Sequence, residues 1–153
     1  MTGQRAGRFA ALPFSALHFN VRISGAGMPG GDLGFSEVVF PPFPVSSSAE
    51  AAQRVASDPA LDPPAAAQNL VLRRGFDGRL DLYRWWDQAR KRQALRGRTV
   101  TVQLLDAQGR EPVVTWRFGN ARPLLLAYSP LDALHGGLLM ETLTLGFETM
   151  SLR

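Results

Sequence analysis

The sequence contains no cysteine, two histidines and a single lysine, Lys91. Without cysteine there is no disulfide frame, no thiolate metal site and no thiol nucleophile. Two histidines, His18 and His135, exclude an imidazole-rich metal centre. No stretch approaches the roughly 20 apolar residues of a membrane-spanning helix, so no membrane insertion is expected. The start, Arg5 and Arg8 followed by FAALPFSALHF, is a poor signal peptide because Pro13 and His18 interrupt its apolar run. A soluble protein from a reducing compartment, without cofactor or metal, is the expectation.

What is present suits an ordinary folded domain. A chain of 153 residues with 45% apolar and 20% charged residues can bury about two thirds of its unfolded surface and needs no staple. A single domain over residues 1–153 is expected. Residues 1–67 hold 4 basic and 5 acidic groups, net −1, and residues 68–153 hold 13 and 8, net +5. A cationic second half can face an anionic partner, although a solvated face with subunit contacts is the expected reading.

Patterning divides the chain. Phe19, Val21 and Ile23 alternate with polar residues as a half-buried strand does. Gly25 to Gly31 is a loop, and the extended run Leu33 to Phe40 completes an expected hairpin. Residues 41–67 carry six prolines among many alanines, which predicts an irregular or partly helical excursion. Asn69 to Arg74 reads as a strand. Asp77 is expected to cap a helix carrying Leu82, Trp85, Trp86 and Ala89, with Arg90, Lys91, Arg92 and Arg96 in its last turns and Gly97 ending it. Thr99 to Leu105, the turn at Asp106 to Gly109, and Val113 to Phe118 form a second hairpin. A final strand spans Met140 to Met150. The resulting fold class is β-rich α+β, with two packed antiparallel sheets or a partly closed barrel and one flanking helix. The core residues are Phe19, Val21, Ile23, Trp85, Trp86, Val102, Leu104, Trp116, Phe118, Leu143, Leu145 and Phe147. Adjacent helical positions lie about 100° apart, so one tryptophan belongs in the core and the other at a boundary.

Catalytic chemistry finds little support. Gly25-Ala-Gly27-Met-Pro-Gly30 fits the dinucleotide spacing, but it leads into a strand rather than opening a helix. Ser129, Asp132, His135 and Glu141 lack a nucleophile elbow. Arg73, Arg74 and the Arg90–Arg98 cluster beside Trp85 and Trp86 would suit nucleic acid only if the rings faced outward. A basic interaction module remains the competing class, with no specific nucleic acid expected.

The ordered series from residue 69 onward resembles the tube proteins of contractile phage tails and bacterial contractile injection systems. Asn69-Leu-Val-Leu-Arg-Arg-Gly75, Leu82 to Trp86, Val100 to Leu105, Thr115-Trp116-Arg-Phe118, Asn120-Ala121-Arg-Pro123 and Met140-Glu141-Thr142-Leu143 carry the likeness. Phe19 to Ile23 and Phe35 to Val38 resemble the family's opening strands. The resemblance implies a structural subunit, not an enzyme, that forms a homo-hexameric ring and stacks into a conduit. Its implied partners are neighbouring rings, spike or hub and baseplate proteins, a surrounding sheath and cargo passing through the lumen. It also implies assembly in the bacterial cytoplasm as part of an injection particle. The family usually has an extended hairpin where this chain has the 41–67 segment. That departure favours an initiating ring near baseplate and spike over a shaft subunit, with Val45, Val55 and Leu61 as the ring-stacking anchors.

Overall fold

The computed structural model describes residues 12–45, 69–91 and 96–153; the 41–67 segment therefore lies largely outside the described residues. Among the described residues the architecture is mostly antiparallel sheet with one helix. In chain order the elements are β1 (Phe19–Ile23), β2 (Glu37–Val39), β3 (Asn69–Gly75), α1 (Asp81–Arg90), β4 (Arg98–Leu105), β5 (Pro112–Tyr128), β6 (Met140–Gly146) and β7 (Thr149–Leu152). The sheet order is β1-β4-β5-β6-β3-β2, with β7 added on β5. β1 and β2 end this path unpaired with each other, so the sheet does not close into a barrel.

The expected β1–β2 hairpin does not form. β1 pairs with β4 and β2 with β3, at opposite ends of the path. After the glycine loop, the Asp32 carboxylate accepts the Val21 amide at 3.0 Å, and the Leu33 amide donates to the Val21 carbonyl at 2.9 Å. Leu33 and Phe35 then plunge into the core, carrying the chain away from β1. Burial of two large apolar residues outweighs continued pairing along an edge. Only Glu37–Val39 of the expected run is strand.

β5 is the spine of the sheet. Its first part pairs with β4 and β7, and Arg122–Tyr128 pairs with β6. Between them lies a bulge: Val100 faces Phe118 and Arg98 faces Ala121, so β5 spends one residue more than β4. Asn120 occupies the left-handed region there, with φ 52°. The extra residue resets the alternation, and Phe118, Ala121 and Pro123 are all buried. Two glycines permit the bend. A Cβ on Gly97 would strike the Asn120 backbone and side chain, and one on Gly119 would strike the Thr149 hydroxyl. The chain breaks again at Phe147 and Glu148. The single final strand expected over Met140 to Met150 is therefore two strands, β6 and β7, on different stretches of β5.

One core cluster draws on both ends of the sheet. Val21, Ile23, Val100, Val102 and Phe118 join Leu70, Leu72, Leu143 and Leu145, with Leu82 and Trp85 from the helix. Phe19, Trp116 and Phe147 pack against it half-buried, and Leu104 is also half-buried. Trp85 is 2% exposed, whereas Trp86 lies at the boundary beside Tyr83 and beneath Arg90, whose guanidinium is 5.3 Å from the ring centre. Asp77 does not cap the helix. Its carboxylate accepts the Arg79 amide and side chain at 3.0 and 2.8 Å, which makes a local turn and leaves Leu80 at the cap position without a side-chain hydrogen bond. The helix ends at Arg90, before Arg96 and Gly97, and Arg92 lies outside the described residues.

The helix is anchored instead through a buried charge cluster. Arg74, 1% exposed, donates to Glu141 Oε1 at 2.6 Å, to Asp81 Oδ1 at 2.5 Å and to the Leu33 carbonyl at 3.1 Å. The Phe35 ring centre lies 5.4 Å from the guanidinium. Burial opposes the charge on Arg74, but the hydrogen bonds and charges of Asp81 and Glu141 outweigh it and hold the guanidinium above its usual pKa. Arg74→Ala would leave two buried carboxylates uncompensated, and chemical denaturation should show a loss of about 3–5 kcal/mol. Trp85→Ala should also cost about 3–5 kcal/mol by opening a cavity. Trp86→Ala should cost markedly less in the same measurement, because its side chain is only partly buried.

Candidate functional site: the assembly surfaces

The connection between β5 and β6 is a rigid turn that exposes leucines. Asp132 Oδ1 accepts the Leu134 and His135 amides at 2.9 and 3.1 Å. Its carbonyl accepts the Gly136 amide at 2.9 Å, and its Oδ2 lies 2.8 Å from His135 Nδ1. The His135 amide, then its ring, then the Leu134 amide hold the Asp132 carboxyl below the usual carboxylate range. A lowered pKa in the folded state means that this contribution is present above the ordinary carboxylate range and fades as pH falls through the lowered value. Gly136 and Gly137, at φ 65° and 98°, let the chain double back. On this turn Leu131, Leu134 and Leu138 are 87%, 91% and 84% exposed. Three exposed leucines on one ordered turn make it a candidate interaction surface.

The sheet's free edges are a second feature. β1 is already half covered, since Asp32 and Leu33 take the Val21 amide and carbonyl. Among the described residues, β7 pairs only with β5, and β2 only with β3. The outer side of such an edge carries backbone donors and acceptors that another chain can pair with or cover.

The imagined hydrolytic group is not assembled. Ser129 faces Met140, accepting its amide at 2.8 Å, His135 is exposed on Asp132, and Glu141 is buried on Arg74. Gly25 to Gly30 opens no helix; the chain runs from it to Asp32 and Leu33. Arg73 is exposed but Arg74 is buried, and Trp85 is turned inward, so the basic residues and rings do not form one stacking platform. Of the stacking candidates, Val45 is fully exposed, and Val55 and Leu61 lie outside the described residues.

The cluster of Arg74, Asp81 and Glu141 was not anticipated from the sequence. A signal for it exists. Arg74 shares the inward parity of Leu70 and Leu72, and Glu141 that of Leu143 and Leu145. Opposite charges at core positions of two strands are the mark of a buried ion pair. Tyr128, in register with Glu141, has its hydroxyl pKa pushed up by burial and then by the Glu141 charge.

No curated protein matches the chain in sequence. Solved structures share its fold at low identity. A chain from the "PVC sheath/tube terminator in extended state" of an extracellular contractile injection system superposes with TM-score 0.69 at 21% identity, covering 94% of this chain and 98% of that one. A chain from the anti-feeding prophage baseplate gives 0.65 at 22% identity, covering 94% and 97%. Hcp1 from Flavobacterium johnsoniae gives 0.56 at 12% identity, covering 88% and 94%. The model of the T4-like virus tail tube protein gp19 family matches residues 15–151. The open antiparallel sheet with one flanking helix thus has a family: this chain belongs to the gp19 tail tube proteins, which are structural components and not enzymes.

Proposed function

We propose that the protein is an inner-tube subunit of a contractile injection system or phage-tail-like particle, forming a ring that stacks into the conduit. The family match over residues 15–151 carries this reading. The open sheet supports it physically. Head-to-tail contact between unlike edges of neighbouring copies is heterologous and closes into a ring, so that barrel closure comes from assembly rather than from one chain. A ring of six copies follows the resemblance, and the similar baseplate chain comes from a "6-fold symmetrised" assembly. Neighbouring rings, sheath, and spike or baseplate proteins are the proposed partners, with assembly in the bacterial cytoplasm and cargo passing along the lumen.

Within the tube, the Pro/Ala-rich 41–67 segment favours the initiating ring beside baseplate and spike. Six prolines remove backbone donors there, which disfavours the extended hairpin of the resembling tube proteins. The shaft remains the second reading, because a chain from the extended PVC "sheath-tube complex" matches at 100% coverage of this chain and TM-score 0.66. Deleting residues 46–62 should leave thermal stability unchanged yet block stacking onto the adjacent component, as seen by electron microscopy of particles assembled with the neighbouring gene products. Normal assembly of the deletion, with copies all along the shaft, would transfer the chain to the second reading. Joint replacement of Leu131, Leu134 and Leu138 by Ser should likewise spare the fold, since all three face water. Sedimentation should then show fewer rings or stacked rings than for the parent protein.

A further inference from the structure

The face of the sheet turned away from the core is cationic and carries a cleft. Because β1, β4, β5 and β7 are in register, Arg22, Thr101, Arg117 and Ser151 form one cross-strand row. Asn20, Gln103 and Thr115 form the next row. Arg153 joins the second row by exchanging backbone hydrogen bonds with Thr115 at 2.9 Å, and neither row contains an Asp or Glu side chain. Neither Arg22 nor Arg117 has an ion-pair or hydrogen-bond partner among the described residues, and both are exposed. Together with Thr101 and the loop from Ser24 to Gly30, they line a cleft of about 300 Å³.

The cleft wall is built rather than incidental. The Ser24 amide donates to the Thr99 carbonyl at 3.0 Å, and the Thr99 amide donates to Ser24 Oγ at 2.9 Å. Arg98 reaches behind the loop to the Ser24 and Ala26 carbonyls at 3.4 and 3.0 Å, with its guanidinium 5.1 Å from the Trp85 ring centre. Gly25, at φ 109°, lies so close that a Cβ would stand 3.2 Å from the Arg98 guanidinium carbon. The glycine motif that failed as a nucleotide fingerprint therefore has a structural reason: it folds tightly over Arg98 and forms one side of a cationic cleft.

We infer that this cleft binds a carboxylate side chain of an acidic polypeptide, held between the guanidinium groups of Arg22 and Arg117 with the Thr101 hydroxyl between them. Paired guanidinium donors match the geometry of an oxyanion. The lining residues include no aromatic ring, so there is no platform on which the bases of a single-stranded nucleic acid could stack. The inference concerns one folded chain and does not depend on ring assembly.

Titration calorimetry of the full-length protein with poly-L-glutamate at low salt tests it. Arg22→Gln/Arg117→Gln should weaken binding at least about tenfold, the scale of losing one or two charge-assisted hydrogen bonds. The charge-matched control Arg73→Gln/Arg110→Gln, with both residues exposed and away from the cleft, should bind as the parent does. Unchanged melting temperatures would confirm that the loss is local. No binding by the parent protein, or equal weakening in both double variants, would overturn the cleft as a site. Tighter binding of a duplex DNA of equal charge, abolished by the same cleft substitutions, would overturn the choice of polypeptide ligand.

Discussion

Arg74 sits where four parts of the molecule meet. Its guanidinium joins β3 to β6 through Glu141, to the first residue of α1 through Asp81, and to the chain leaving β1 through the Leu33 carbonyl. Every donor that reaches Asp81 or Glu141 removes part of the desolvation cost of burying two carboxylates. One polar atom stays unsatisfied: Glu141 Oε2 has no hydrogen-bond partner among the described residues. The cluster therefore specifies geometry more than it maximises stability. An apolar substitute could pack, but it would not dictate where the helix begins or which side of β3 the Leu33 segment crosses.

The second constraint is the bend in β5. A straight 17-residue strand would extend one flat sheet past the edge of its core. The bulge at Asn120, with glycines on either side of the contact, redirects the strand so that residues from both ends of the sheet enter a single cluster. The outer strands are short: β1, β2 and β7 have 5, 3 and 4 residues. Short edges discourage uncontrolled aggregation while remaining available to a defined neighbour, which is the compromise an assembling subunit needs. At the β5–β6 turn, Asp132 fixes the backbone while Leu131, Leu134 and Leu138 face water.

Local pattern and tertiary context contributed differently. Period-two alternation in Phe19–Ile23, Asn69–Gly75 and Arg98–Leu105 determined those strands and their inward faces, because alternation has one physical reading when one side is buried. The Asp106–Gly109 turn was equally legible, and so was the amphipathic stripe of Leu82 and Trp85. The order of family-like elements from residue 69 onward, together with Phe19 to Val38, was sufficient to indicate the tube family. The β4–β5 hairpin was legible too, but the pairing of β1, β2 and β7 was not. β1 and β2 look like a hairpin because they are neighbours in the chain, yet burial of Leu33 and Phe35 separates them. Met140 to Met150 looks continuous because its alternation persists, yet the break at Phe147 sends β7 to another stretch of β5. Asp77 has the residue type of a helix cap, but Arg79 captures its carboxylate. The charged cluster and the cationic cleft were decided by tertiary structure alone, since each unites side chains whose proximity arises only when distant strands lie side by side.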